Sequence, residues 1–133
     1  MAHQEGWIEA YKLLVDGKEI PADLLNTIKN NKSGLDETFL HWYAIEGEPK
    51  VVEKIINLGF DVNTQNEFGN TPLMECALIE KWEIVELLIE NGADPEIRNE
   101  DGENAIESLS ENFQEKKADK LSRIIDSHNS SNE

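Results

Sequence analysis

The residue types able to do chemistry in this chain are 28 Asp and Glu, one cysteine (Cys76) and three histidines (His3, His41 and His128). Paired carboxylates can act as general acid and base, but in so acidic a chain close pairs arise from composition alone and single out no couple. Cys76 falls on an inward position of a repeated pattern, with no motif partner nearby, so packing is its expected role. The histidines are scattered, and His41 is expected to hydrogen-bond a nearby loop backbone and not to bind a metal. Asp61-x-Asn63-x-Gln65 begins like a calcium loop, yet Asn66 stands where a glycine is required and Pro72 where a bidentate glutamate is needed. No phosphate-cradling glycine loop occurs. The expectation is no enzyme, no cofactor and no metal.

What positions these residues is a repeat. Thr38-Phe39-Leu40-His41-Trp42-Tyr43-Ala44 is echoed by Thr71-Pro72-Leu73-Met74-Glu75-Cys76-Ala77 and, more faintly, by Asn104-Ala105-Ile106-Glu107-Ser108-Leu109-Ser110, at a step of 33 residues each time. Leu58-Gly59-Phe60-Asp61-Val62-Asn63 returns in phase as Asn91-Gly92-Ala93-Asp94-Pro95-Glu96. A fixed period with matching punctuation marks a stacked-repeat architecture, and 133 residues hold four such units.

In chain order, Trp7, Ile8, Tyr11, Leu14 and Val15 form one face of a first helix, and a second opens after Pro21 with Leu24, Leu25 and Ile28 inward. The next unit has a helix capped by Thr38, with Leu40, Tyr43 and Ala44 inward, then a helix opened by Pro49 carrying Val51, Val52, Ile55 and Ile56 and stopped by Gly59. Asp61 to Gly69 reads as a polar, hairpin-like finger. The pattern returns with Leu73, Cys76 and Ala77, then Ile84, Val85, Leu87, Leu88 and Ile89, and a second finger from Asp94 to Gly102. Ala105, Ile106 and Leu109, then Ala118, Leu121, Ile124 and Ile125, make a last, more polar pair, and fraying is expected from Ser127 onward.

Charge narrows the partner. The 28 acids against 12 Lys and Arg give a formal charge of −16, which disfavours nucleic acid and anionic membrane surfaces. It either attracts a basic protein or serves solubility alone. One cysteine excludes an intrachain disulfide, and without a secretion signal or an apolar run of membrane-spanning length the expected location is the cytoplasm.

Gly69-Asn70-Thr71-Pro72-Leu73 and Gly92-Ala93-Asp94, with Leu40-His41 and Gly59-Phe60-Asp61-Val62-Asn63 one repeat earlier, resemble the ankyrin-repeat pattern and its period. Phe39 replaces the usual proline, and Met74 and Glu107 replace the histidine. The resemblance implies an all-α ankyrin-repeat solenoid of helix-turn-helix units with hairpin-like loops. Its units would be an N-terminal helical hairpin over 4–33, repeats over 34–66 and 67–99, a degenerate capping repeat over 100–128, and a tail over 129–133.

It also implies a concave face, on which proteins similar to this one grip partners with finger tips and the exposed ends of the first helices. The positions so transferred are Glu37, Ile45 and Glu46; Glu67, Phe68, Asn70, Leu78 and Ile79; and Glu100, Asp101, Glu103, Glu111 and Asn112. Phe68, Leu78 and Ile79 either form an exposed apolar patch or fold back onto the stack. Between Asn99 and Glu115 six acids (Glu100, Asp101, Glu103, Glu107, Glu111 and Glu115) meet no basic residue in sequence. The expectation is a binding module, monomeric when free, for a basic protein. Its most concrete form is a neutralising inhibitor similar to bacterial immunity proteins; the alternative is an adaptor or scaffold.

Overall fold

The computed structural model describes residues 6–111 and 113–131, which form eight helices and, among the described residues, no strand. They are α1 (Trp7–Val15), α2 (Ala22–Asn30), α3 (Phe39–Glu46), α4 (Pro49–Asn57), α5 (Pro72–Leu78), α6 (Trp82–Glu90), α7 (Ala105–Glu111) and α8 (Glu115–Ser131).

Local chemistry sets the starts and stops. Thr38 Oγ1 accepts from the His41 N–H and Thr71 Oγ1 from the Met74 N–H, so the same cap opens α3 and α5 one period apart. In the third unit Asn104 and Glu107 bond reciprocally, each side chain accepting from the other's backbone N–H, a capping box that replaces the threonine. Pro49 and Pro72 occupy the first helical turn, where no N–H is missed. Gly59 and Gly92, both at φ 96°, end the outer helices in a conformation that costs an L side chain dearly.

The stack then assembles in two rows, α3, α5 and α7 side by side, and α4, α6 and α8 side by side behind them. Between the rows lie Leu40, Val52, Ile55, Leu73, Ile84, Val85, Leu88 and Leu121, all at or near zero exposure. Each such aliphatic stabilises the fold by about 1.5–3 kcal/mol. No single short helix pair could bury that face alone, which is why the units must stack.

The N-terminal hairpin seals the first repeat with aromatic rings. Trp7 meets Phe39 edge-on at 5.8 Å, and Tyr11 stacks on Tyr43 at 4.2 Å. That explains the departure at Phe39, whose ring fills the space between Trp7, Tyr43 and Phe60. The buried stripe of α1 is Trp7, Ala10 and Leu14, whereas Ile8 and Val15, expected inward, face solvent because the hairpin covers α3 and α4 with one side only. At the other end α8 stays helical to Ser131, past the expected onset of fraying.

Candidate functional site

Three loops project between consecutive units, and one device closes each of them. Ser33 Oγ accepts from the Leu35 and Glu37 N–H groups. Asn66 Oδ1 accepts from Phe68 and Asn70, and Asn99 Oδ1 from Asp101 and Glu103. Each folds its finger tip around one side-chain oxygen. Ser33, Asn66 and Asn99 escaped the sequence reading, although they stand 33 residues apart, in phase with the repeat, and that shared phase is the signal that marks them as equivalent. The left-handed residue that each tip needs is Asp36, Gly69 or Gly102, at φ 61°, 76° and 77°.

The fingers are tied to one another and to the helices. The Glu67 N–H donates to the Leu35 carbonyl, and the Glu100 N–H to the Phe68 carbonyl. Gln65 Nε2 reaches the carbonyls of Gly69 and Arg98, and Asn63 holds the Gly92 carbonyl and the Asp94 N–H. Asp61 accepts from the Asn63 N–H, so the side chains that began like a calcium loop are spent on turn and inter-finger bonds. His41, fully buried in α3, donates from Nε2 to the Asn70 carbonyl at 3.0 Å, the expected bond to finger backbone. Burial pushes its pKa down to about 4 and keeps the ring neutral.

Behind the tips lies a polar cluster. Asn66 and Asn70 donate to Glu75 Oε1, and Asn99 donates to Asn70 Oδ1. Glu37 joins through Asn66 and Ser33, and burial followed by repulsion from Glu75 holds its carboxyl above the usual range against those bonds. Glu37 was expected on the exposed face and is instead buried, its backbone N–H held by Ser33 Oγ.

Of the other expected contact residues, Glu46, Glu67, Glu100, Asp101 and Glu111 are exposed; Ile45, Asn70 and Glu103 are half-buried; Asn112 lies outside the described residues. Phe68, Leu78 and Ile79 are 49%, 44% and 47% exposed, so none folds back fully onto the stack. They do not form one patch. Phe68 precedes α5 and Leu78 and Ile79 end it, and seven helical residues separate such points by about 10 Å. Besides Ile8 and Val15 of α1, two exposed apolar residues lie outside the expected set. Leu35, 46% exposed, lies one period before Phe68 at the first finger tip, and Phe113, 87% exposed, lies one period after Glu80 at the turn following α7.

The acidic run is less uniform than its sequence implies. Glu107 accepts from the backbone N–H of Asn104 and is paired with Arg98, just outside the run, which together hold its carboxyl below the usual range. Glu103 is the opposite case, raised by desolvation and then by repulsion from Glu111, Asp101 and Glu107. Glu100, Asp101, Glu103, Glu111 and Glu115 make no ion pair among the described residues.

For chemistry the site offers little. Cys76 is buried against the Ala44 carbonyl, with burial pushing its thiol up to about 12, far from a reactive thiolate. Among the described residues no three His, Cys, Asp or Glu side chains gather as a metal site, and no helix is long and apolar enough to cross a membrane.

Known proteins show the same repeat. The family described as ankyrin repeats, in three copies, matches residues 1–99 and 40–121. Protein phosphatase 1 regulatory subunit 12A of Mus musculus is 33% identical over 89 residues, 67% of this chain and 8% of that protein. Transient receptor potential cation channel subfamily A member 1 of Homo sapiens is 30% identical over 79 residues, 59% of this chain and 7% of that protein. The BTB/POZ domain and ankyrin repeat-containing protein NPR3 of Oryza sativa subsp. japonica is 35% identical over 81 residues, 59% of this chain and 14% of that protein. The chain thus spans 14% or less of the length of these relatives.

Proposed function

From the premise that this chain belongs to the ankyrin-repeat family, whose repeats serve as protein-interaction modules, we propose that it captures a basic protein on its finger and inner-helix face and neutralises it. One observation carries this reading. Exposed apolar side chains at the two ends of α5, Phe68 at the finger tip and Leu78 and Ile79 at the far end, accompany Glu67, Glu100, Asp101, Glu103 and Glu111, acids with no ion-pair partner among the described residues. Apolar groups of this exposure give slow dissociation once desolvated, and the acids steer a cationic partner, raising association rates roughly 10- to 1000-fold. The mutually bonded fingers keep the tip residues in place before contact, which lowers the ordering cost of binding.

The test is a pull-down from the native extract with mass spectrometry, repeated at about 0.5 M salt. The captured protein is then purified and its own activity assayed with and without this chain. A basic partner lost at high salt and silenced by stoichiometric chain supports neutralisation. An active partner in the complex points to recruitment, the adaptor reading. A partner that is acidic, or held equally well at high salt, overturns the electrostatic basis. Leu78→Arg is expected to abolish the complex while leaving the helical signal intact.

A further inference from the structure

The strongest unexplained feature lies at the turn edge, the side of the stack where inner helices hand over to outer ones. Phe113 is 87% exposed, more than any other large apolar residue described, and it sits in the left-handed region at φ 60°. The turn itself requires that conformation, since Glu80, one period earlier, holds φ 63° in the same place. Glu80 meets the requirement with a polar, exposed side chain. A phenylalanine there accepts the same backbone strain and buries almost no ring, so the fold gains nothing from it. Aromatic side chains held out in this way are what interface anchors look like.

Its neighbourhood extends the argument. Lys117 Nζ, in the first turn of α8, donates to the Leu78 carbonyl at 2.6 Å, which draws the α7–α8 turn onto the end of α5. Leu78 and Ile79, nearly half exposed, therefore lie on the same edge as Phe113. The acids around them are Glu46, Glu80, Glu111 and Glu115, against Lys81, Lys116 and Lys117, the last committed to the Leu78 carbonyl.

We propose that Leu78, Ile79 and Phe113 form the anchoring contact for a cationic amphipathic helix of the partner, which lays its apolar side on this edge and its Lys and Arg on the flanking acids. The inference rests on the reading of a basic partner and moves its anchor from the finger tips to the opposite side of the inner helices.

The test is an NMR titration of the isotope-labelled full chain with a synthetic helical peptide of about 18 residues, Leu and Phe on one side and Lys and Arg on the other. A control peptide carries Ser in place of Leu and Phe. Shift changes are expected to concentrate at Leu78, Ile79, Glu80, Glu111 and Phe113, with the control at least ~10-fold weaker. Phe113→Asn is expected to weaken binding by ~10-fold or more without lowering the thermal midpoint, because Asn takes the left-handed conformation more readily. Leu78→Ser, which keeps the carbonyl for Lys117, should give a similar loss independently. Shifts centred on Glu67, Phe68 and Glu100, with Phe113→Asn binding like wild type, overturn the edge contact and leave the finger-face reading standing. A peptide that does not bind even at low salt overturns both.

Discussion

Acidification should loosen this protein through one side chain, His41. Its ring is fully buried; Nε2 donates to the Asn70 carbonyl, and Nδ1 has no hydrogen-bond partner among the described residues. Burial lowers its pKa, Lys32 pushes the same way, and the bond to Asn70 only partly opposes them. Because the folded value lies below the unfolded one, the unfolded chain binds the proton more readily between them. The contribution to stability is therefore complete above the unfolded value and is lost as pH falls. The interval from 6.5 to about 4 corresponds to about 3 kcal/mol in all. About 1 kcal/mol of it is gone on moving from about pH 7.5 to about pH 5.5. Urea unfolding followed by far-UV circular dichroism at those two pH values, on wild type and His41→Leu, measures it. His41→Leu should be less stable at neutral pH by about 1–3 kcal/mol, since the Asn70 carbonyl loses its donor, but its pH dependence should be flatter by about 1 kcal/mol. Glu37 works in the opposite sense: its raised pKa gives stability that is present at low pH and lost as pH rises through the folded value, and it is common to both proteins. Equal pH slopes for the two proteins would refute the reasoning.

Two further predictions concern the fingers. Gly69→Ala should cost about 3 kcal/mol or more, because φ is 76° and the new Cβ would stand 2.7 Å from the Glu100 backbone nitrogen; a thermal midpoint unchanged from wild type would contradict that geometry. Asn66→Ala leaves the Phe68 and Asn70 N–H groups without their shared acceptor and should cost about 2–3 kcal/mol, with amide exchange accelerated at both positions; slow exchange there would show that another acceptor takes over.

Much of the fold was legible because its determinants are local and periodic. The threonine caps, Pro49 and Pro72, and the glycines ending the outer helices each act within a few residues of chain, so reading them needed no tertiary knowledge. Reading α1 went astray since two helical faces were apolar enough to serve, and only the packing of Trp7 on Phe39 selects Ala10 over Ile8. The surface was harder still. Glu37, just before the α3 cap, is buried, while its counterparts one and two periods on, Asn70 and Glu103, are only half-buried.

The sequence by itself determined the class of fold, since a 33-residue period of amphipathic helix pairs has no way to bury its apolar faces except by stacking. It also determined the strong excess of acid that limits the kind of partner. Tertiary structure alone decided which acids stay unpaired, with Arg98 claiming Glu107 from outside the run. It also divided the expected apolar patch between the two ends of α5 and brought Phe113 to the second of them through Lys117. Arg98 reaches Glu107 across the turn from finger to helix, nine residues on, whereas Lys117 reaches Leu78 from 39 residues away, and only stacking makes that second pair neighbours.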